Sequence, residues 1–213
     1  MIDYSKFLNN SIQEIKPSGI RKFFDIASEM DDVISLSIGE PDFQTPWHIR
    51  EEGINSLKNG KTWYSPNRGF AQLREEIANY YARRFNISYE GKTQVLVTVG
   101  GSEAIDLAFR CLVSEGDEVI IPEPSFVCYE PLTHMAGGKA VIINTKAEDQ
   151  FRLKADDLEK AITDKTKLVV LPFPNNPTGA IMEKADLEAI AEVIKKHDLF
   201  VLSDEIYCEL TYL

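Results

Sequence analysis

The chain has 213 residues, a formal net charge of −11, 27% charged residues and 44% hydrophobic residues. These values are typical of a globular protein with one large domain or a domain with a smaller appendage. The negative charge argues against nucleic acid or an anionic membrane as a main partner, because both would repel the protein. There is no long apolar run or signal-peptide pattern, and the three cysteines are widely spaced. We therefore expect a cytoplasmic protein with free thiols and no metal site.

The amino-terminal part of the chain is predicted to be mainly helical. Amphipathic periodicity predicts helices over residues 20–27, 46–58 and 70–85, and a short strand is expected over residues 33–43. For the second of these helices, Thr45 has the hydroxyl of an N-cap, and Pro46 then occupies the first helical position. Asn59 and Gly60 are expected to end it.

From Gln94 onward, short apolar runs alternate with helical patterns. This alternation predicts a mainly parallel sheet with helices between its strands, which is an α/β fold of three layers, α/β/α. The carboxyl ends of the parallel strands should lie at one edge of the sheet. The five predicted strands are residues 94–99, 118–122, 139–143, 168–171 and 199–202.

Polar or aromatic residues follow several of these strands, at the sheet edge where ligands of α/β proteins bind. Gly100 and Gly101 precede a helix whose amino terminus could bind a phosphate, although a tight connection explains two glycines better when they are taken alone. Phe126 could be a core residue or could offer its face to an aromatic ligand. Asp204 could be a helix cap, and Tyr207 could simply pack. Together these residues predict a binding site.

The chain contains five motifs in a characteristic order. They are Ser-Ile-Gly-Glu-Pro-Asp-Phe, Tyr-Ser-Pro-Asn-Arg-Gly, Thr-Val-Gly-Gly-Ser-Glu-Ala, Pro-Asn-Asn-Pro-Thr-Gly-Ala and Ser-Asp-Glu-Ile-Tyr. In this order they resemble the class I/II aminotransferases, which are fold type I pyridoxal-phosphate enzymes of the aspartate and aromatic aminotransferase superfamily. The resemblance covers nearly the whole chain and implies the large domain of that fold, truncated, with an amino-terminal arm and part of a small domain.

The resemblance implies a cofactor role for several of these residues. Phe126 would stack on the pyridine ring of pyridoxal 5'-phosphate, and Asp204 would pair with its protonated nitrogen, which makes the ring an electron sink. Asn176 and Tyr207 would hydrogen-bond the phenolic oxygen of the ring. The residues expected to bind the phosphate are Gly101, Ser102 and Glu103, with Tyr64 reaching the phosphate of the neighbouring subunit.

The resemblance has further consequences for the backbone and for partners. Gly39 would help to hold the substrate carboxylate through its N–H group, and the Asn176–Pro177 peptide is expected to be cis. Residues 94–99 would pair with strands that lie beyond Leu213 in the family. The substrates would be an amino acid and a 2-oxo acid, and the full-length protein would be a homodimer.

One departure from the family concerns its Schiff-base lysine, which lies beyond the Asp-x-x-Tyr motif and would fall past Leu213. We therefore expect an amino-terminal portion of an aminotransferase that has no catalytic residue of its own and is inactive alone. Residues 1–45 would form the arm and part of the small domain, and residues 46–213 an incomplete cofactor-binding domain. The alternatives are a carbon–sulfur lyase or other eliminating enzyme of the same fold, and a non-catalytic remnant or cofactor-sensing module.

Overall fold

The computed structural model describes residues 4–15 and 43–211, together with the single positions 19, 23, 26, 29, 30, 32, 34 and 39. The helix predicted over residues 20–27 and the strand predicted over residues 33–43 fall almost wholly outside the described residues. The chain divides into two compact units, one of residues 1–17 with 99–213 and the other of residues 18–98. The predicted domain division after residue 45 stays a prediction. None of the helices in the described ranges is long and apolar enough to cross a membrane.

Two helices lie in the described part of the unit of residues 18–98. Helix α2 spans Trp47–Lys58 and α3 spans Ala71–Phe85, whereas the short α1, Asn10–Glu14, belongs to the other unit. The predicted cap at Thr45 is wrong: Pro46 is the N-cap, because its ψ of 140° is not helical, and no side chain caps the helix. The predicted end is confirmed, with Asn59 as the C-cap and a positive φ at Gly60.

The other unit contains a parallel sheet of four strands in the order β2-β1-β3-β4. Each crossover between consecutive strands carries a helix, as the strand–helix alternation predicts. The strands are β1 (Glu118–Glu123), β2 (Lys139–Asn144), β3 (Thr166–Leu171) and β4 (Phe200–Ser203). The helices are α4 (Gly101–Leu112), α5 (Tyr129–Met135), α6 (Ala155–Ala161) and α7 (Lys184–Lys196). Short 3-10 segments span Ser5–Phe7, Ala147–Asp149 and Cys208–Leu210.

Both faces of this sheet are covered by helices. On one face, Val119 and Ile121 of β1 pack in a buried cluster with Ile105 and Phe109 of α4. On the other face, Ile120 packs in a second cluster with residues of α6 and α7. Successive side chains of a strand point to opposite faces, so the alternation of Val119, Ile120 and Ile121 between two cores requires helices on both sides. The predicted three-layer architecture is therefore confirmed.

The predicted first strand, residues 94–99, is not part of the sheet. The segment has no strand structure, and the side chain of Val99 is 93% exposed. A strand exists only when another strand satisfies its N–H and C=O groups, and none of the described strands pairs with this segment. Its apolar pattern has the right period for a strand, but a partner is missing among the described residues.

Candidate functional site

The candidate site lies at the edge of the sheet where the parallel strands end. Pro124 follows β1, Pro172 follows β3 and Asp204 follows β4. Strands β1 and β4 flank β3, so the segments that leave these three strands emerge side by side. Of the sequence-predicted site residues, Phe126, Asn176, Asp204 and Tyr207 lie on these segments.

Asp204 continues the pairing of β4 with β3, because its backbone N–H donates to the Leu171 carbonyl at 3.1 Å. Its half-buried carboxylate accepts two hydrogen bonds. Oδ2 accepts from the Tyr129 hydroxyl at 2.7 Å, and Oδ1 accepts from the backbone N–H of Ile206 at 3.3 Å. In the described part of the chain no Lys or Arg forms an ion pair with it. A carboxylate has about four acceptor positions, so Asp204 can accept a further, cationic donor.

Tyr129, the hydrogen-bond partner of Asp204, is a residue that the sequence analysis missed. It is the first residue of α5 and is only 1% exposed. Burial first, and then the hydrogen bond to Asp204, raise the pKa of the phenol well above its ordinary value. Tyr129 is therefore neutral, and its O–H group donates a hydrogen bond to the carboxylate. The sequence contains no signal for this pair, because the two residues lie 75 positions apart.

The ring of Phe126 packs edge-to-face against Tyr129, with 6.0 Å between centroids and an interplanar angle of 86°. Such a pair fixes the orientation of both rings. Cys128 lies between these two residues in the sequence and is half-buried. Burial, and to a smaller extent the charge of Asp204, raise the pKa of its thiol to about 12. This thiol is therefore protonated and unsuited to nucleophilic work at neutral pH.

The turn after β3 is held together by Asn175, which is buried. Its side-chain oxygen accepts from the backbone N–H and the hydroxyl of Thr178, at 3.2 and 2.8 Å, and its backbone N–H donates to the Ala180 carbonyl. The neighbouring Asn176 is exposed, which leaves its amide accessible to a ligand. The predicted cis peptide between Asn176 and Pro177 is confirmed.

The turn before α4 is open and built from glycine. Gly100 is the N-cap, with a φ of 85° that favours glycine, and a Cβ at Gly101 would meet no atom within 4 Å. Gly101, Ser102 and Glu103 are exposed at the first turn of a 12-residue helix. The Glu103 carboxylate accepts from the backbone N–H of Val99, so this side chain holds the turn. A helix amino terminus with this free space suits a phosphate group.

The remaining predicted site residues are placed as follows. Tyr207 is half-buried and caps the 3-10 segment Cys208–Leu210, whose last N–H donates to the Tyr207 carbonyl at 2.9 Å. Tyr64 and Gly39 belong to the unit of residues 18–98, and both are exposed. In that unit Arg74 donates to the carbonyls of Gly69, Gly91 and Lys92, which fixes the end of the loop that begins at Tyr64.

The Asp204 carboxylate, the Phe126 ring and the exposed Asn176 amide lie on segments that leave neighbouring strands at one edge of the sheet. With the amino terminus of α4, these groups suit the basic nitrogen, the flat face, a polar substituent and the phosphate of a planar heteroaromatic ligand. Among the residues that the structure describes, no group of three or more His, Cys, Asp or Glu side chains could hold a metal ion.

Comparison with known proteins shows the family of this chain. The family described as "Aminotransferase class I and II" matches residues 31–213. The chain is 51% identical over 208 residues to YugH of Bacillus subtilis, covering 98% of this chain and 54% of that protein. It is 44% identical over 205 residues to aromatic-amino-acid aminotransferase 2 of Thermococcus litoralis, covering 96% and 53%.

Solved structures give the same result for the fold. The aspartate aminotransferase of Rhizobium meliloti superimposes with a TM-score of 0.91 at 34% identity, over 97% of this chain and 52% of that chain. The chain therefore spans about half the length of the relatives it matches. The family match covers most of the chain and agrees with the sheet and with the five ordered motifs, so the chain belongs to the class I and II aminotransferases.

Proposed function

We propose that the protein containing this chain is a pyridoxal-phosphate-dependent aminotransferase that transfers the amino group of an L-amino acid to a 2-oxo acid. The observation that carries the proposal is the Asp204 carboxylate, held at the end of β4 by the Tyr129 hydroxyl at 2.7 Å and free of any Lys or Arg partner among the described residues. The carboxylate is half-buried, and a protonated ring nitrogen would supply the cationic partner that it lacks among the described residues. The names of the relatives, which include aromatic and aspartate aminotransferases, support this reaction.

When bound, pyridoxal phosphate supplies an electron-withdrawing ring that stabilises negative charge at the substrate Cα. The side chains of this chain would bind and orient it. Asp204 would hold a proton on the ring nitrogen, Phe126 would cover one face of the ring, and Asn176 and Tyr207 would donate to its phenolic oxygen.

The phosphate and the substrate would be bound by backbone and hydroxyl groups. Gly101, Ser102 and Glu103 would donate their N–H groups to the phosphate, with the Ser102 hydroxyl as an additional donor. Tyr64 would reach the phosphate of a second subunit, and Gly39 would bind the substrate carboxylate. These roles imply a homodimer, and the acidic composition suits a protein of the cytoplasm.

The test uses the complete gene product, purified without cofactor and titrated with pyridoxal phosphate. We expect a visible absorption change that saturates at one cofactor per subunit. We also expect 2-oxo acid formation from aspartate or from an aromatic amino acid, each assayed with 2-oxoglutarate. The 213-residue chain alone is expected to form no product. Failure of the complete gene product to bind the cofactor would refute the proposal, and elimination products without amino transfer would indicate a lyase.

A further inference from the structure

We propose that Tyr129 is a positioning residue for this reaction, whose hydroxyl orients the Asp204 carboxylate and whose ring orients Phe126. The inference rests on the proposed function, because Asp204 and Phe126 are the groups proposed to bind the nitrogen and the face of the cofactor ring. Two separate contacts of one buried side chain carry it, namely the 2.7 Å hydrogen bond to Asp204 and the edge-to-face contact with Phe126.

The position of Tyr129 is itself fixed by its surroundings. Its ring belongs to a buried cluster contributed by α4, β1 and β3, whose other members are Ile105, Phe109, Val113, Val119, Ile121, Leu168 and Val170. Its backbone carbonyl accepts from the hydroxyl of the buried Thr133 at 2.8 Å, within the first turn of α5. Because protein interiors are close-packed, a ring held on all sides transmits its position to the groups that it contacts.

The direction of the hydrogen bond matters for the chemistry. Burial keeps the pKa of Tyr129 high, so the phenol remains a donor and Asp204 remains an acceptor. The Ile206 N–H occupies the other carboxylate oxygen. The two donors fix the plane of the carboxylate and leave lone pairs for a third donor. Without the hydroxyl, the carboxylate would keep only the longer of its two bonds, at 3.3 Å, and could rotate away from that third donor.

A purely structural role for Tyr129 makes a different prediction. If the ring only fills the core, the hydroxyl is dispensable for cofactor binding, and any defect of a variant would be independent of Asp204. If Tyr129 has a positioning role, the effect of removing its hydroxyl on cofactor binding and kcat must depend on the presence of the Asp204 carboxylate. A double-mutant cycle separates these two cases.

The experiment compares Tyr129→Phe, Asp204→Asn and the double variant in the complete gene product, measuring the Kd of pyridoxal phosphate and the kcat. Tyr129→Phe removes a hydrogen bond to a charged group, so it should raise the Kd of the cofactor and lower kcat by roughly tenfold each. The KM for the amino acid should change by less than about twofold. In the Asp204→Asn background, where the hydroxyl no longer orients a negative charge, the same change should alter Kd and kcat by less than about twofold. The matched control is Tyr89→Phe, which removes a phenol hydroxyl from a half-exposed ring in contact with Tyr81 and should change neither constant.

Two results would overturn the inference while leaving the proposed function intact. One is a Tyr129→Phe enzyme with wild-type Kd and kcat, and the other is a defect of equal size in both backgrounds. A wild-type protein that binds no pyridoxal phosphate would overturn the proposed function and this inference together. If Tyr129→Phe does not fold, 3-fluorotyrosine at position 129 keeps the ring and makes the hydroxyl a stronger donor. It should then shift the cofactor Kd in wild type but not in Asp204→Asn, and equal shifts in both would overturn the inference.

Discussion

Replacement of Asp204 by Asn tests the site most directly, because it separates the charge of this side chain from its contribution to folding. The carboxylate accepts from the Tyr129 hydroxyl at 2.7 Å and from the Ile206 N–H at 3.3 Å. An asparagine of nearly the same volume has one oxygen, which can keep the shorter bond while the longer one is lost. The loss of one hydrogen bond should lower the free energy of unfolding by only about 0.5–1.5 kcal/mol.

The effect on activity should be much larger than the effect on stability. Under the proposed function, Asp204→Asn removes the negative charge opposite the ring nitrogen, and with it a charge-assisted hydrogen bond in a partly buried site. We expect a loss of about 4 kcal/mol of transition-state stabilisation. At about 1.4 kcal/mol per factor of ten, this is on the order of a thousandfold in kcat.

The assay measures kcat for amino transfer and the thermal midpoint of the complete gene product on the same preparations. Asp198→Asn is the matched control, because Asp198 is exposed and has a φ of 52°, a conformation that asparagine also tolerates. The control should retain both wild-type activity and wild-type stability. A kcat of Asp204→Asn within about tenfold of wild type would refute the assignment of Asp204 to the ring nitrogen.

Three further outcomes are expected. Asn175→Ala removes the acceptor of both Thr178 donors and should lower the free energy of unfolding by about 1–3 kcal/mol in a denaturant titration; an unchanged midpoint would mean that the turn is held by other contacts. The hydroxyl of Thr163 and the Lys139 ammonium hold the pKa of Glu118 in the folded protein below its ordinary 4.5. The ionised Glu118 therefore stabilises the folded state above pH 4.5, and this stabilisation is lost as the pH falls through the pKa of the folded state. The difference in free energy of unfolding between wild type and Glu118→Gln should therefore be largest at neutral pH and smaller in acid. A difference that does not change with pH would contradict this. Iodoacetamide at pH 8 should label the exposed Cys111 well before Cys128, because a pKa of about 12 leaves roughly one Cys128 thiol in ten thousand ionised; equal labelling rates would contradict it.

The sequence predicts the sheet domain well because its signals are local. The strands after residue 118 begin and end within two residues of their predicted bounds, since runs such as Val119-Ile-Ile lie between charged and turn residues. The carboxyl ends of parallel strands must share an edge, so the segments that carry Phe126, Asn176 and Asp204 could also be predicted to lie on one side of the sheet. These inferences need no knowledge of which strand pairs with which.

The features that could not be predicted depend on contacts between distant parts of the chain. Residues 94–99 have the composition of a strand, and only the family resemblance, not their local pattern, predicts that the partner strands lie beyond Leu213. The sequence also does not distinguish the two adjacent asparagines, although Asn175 is buried in the turn and Asn176 is exposed. The Tyr129 hydroxyl and Asp204 lie 75 positions apart in the sequence. They are in contact because β1, β3 and β4 are neighbours in one sheet.

The arrangement of Asp204 is a property of the core that this chain already contains. The edge strand β4 leaves Phe200 and Val201 55% and 42% exposed, so its outer side is poorly covered by the described residues. The position of Asp204 does not depend on that side, because its backbone is bound to β3 through Leu171 and its carboxylate to the buried Tyr129. Leu171 belongs to the interior strand β3, and Tyr129 belongs to the buried cluster on one face of the sheet. Under the proposed function, the carboxylate is therefore held in place before the cofactor binds, which is the condition under which its charge can contribute fully to catalysis.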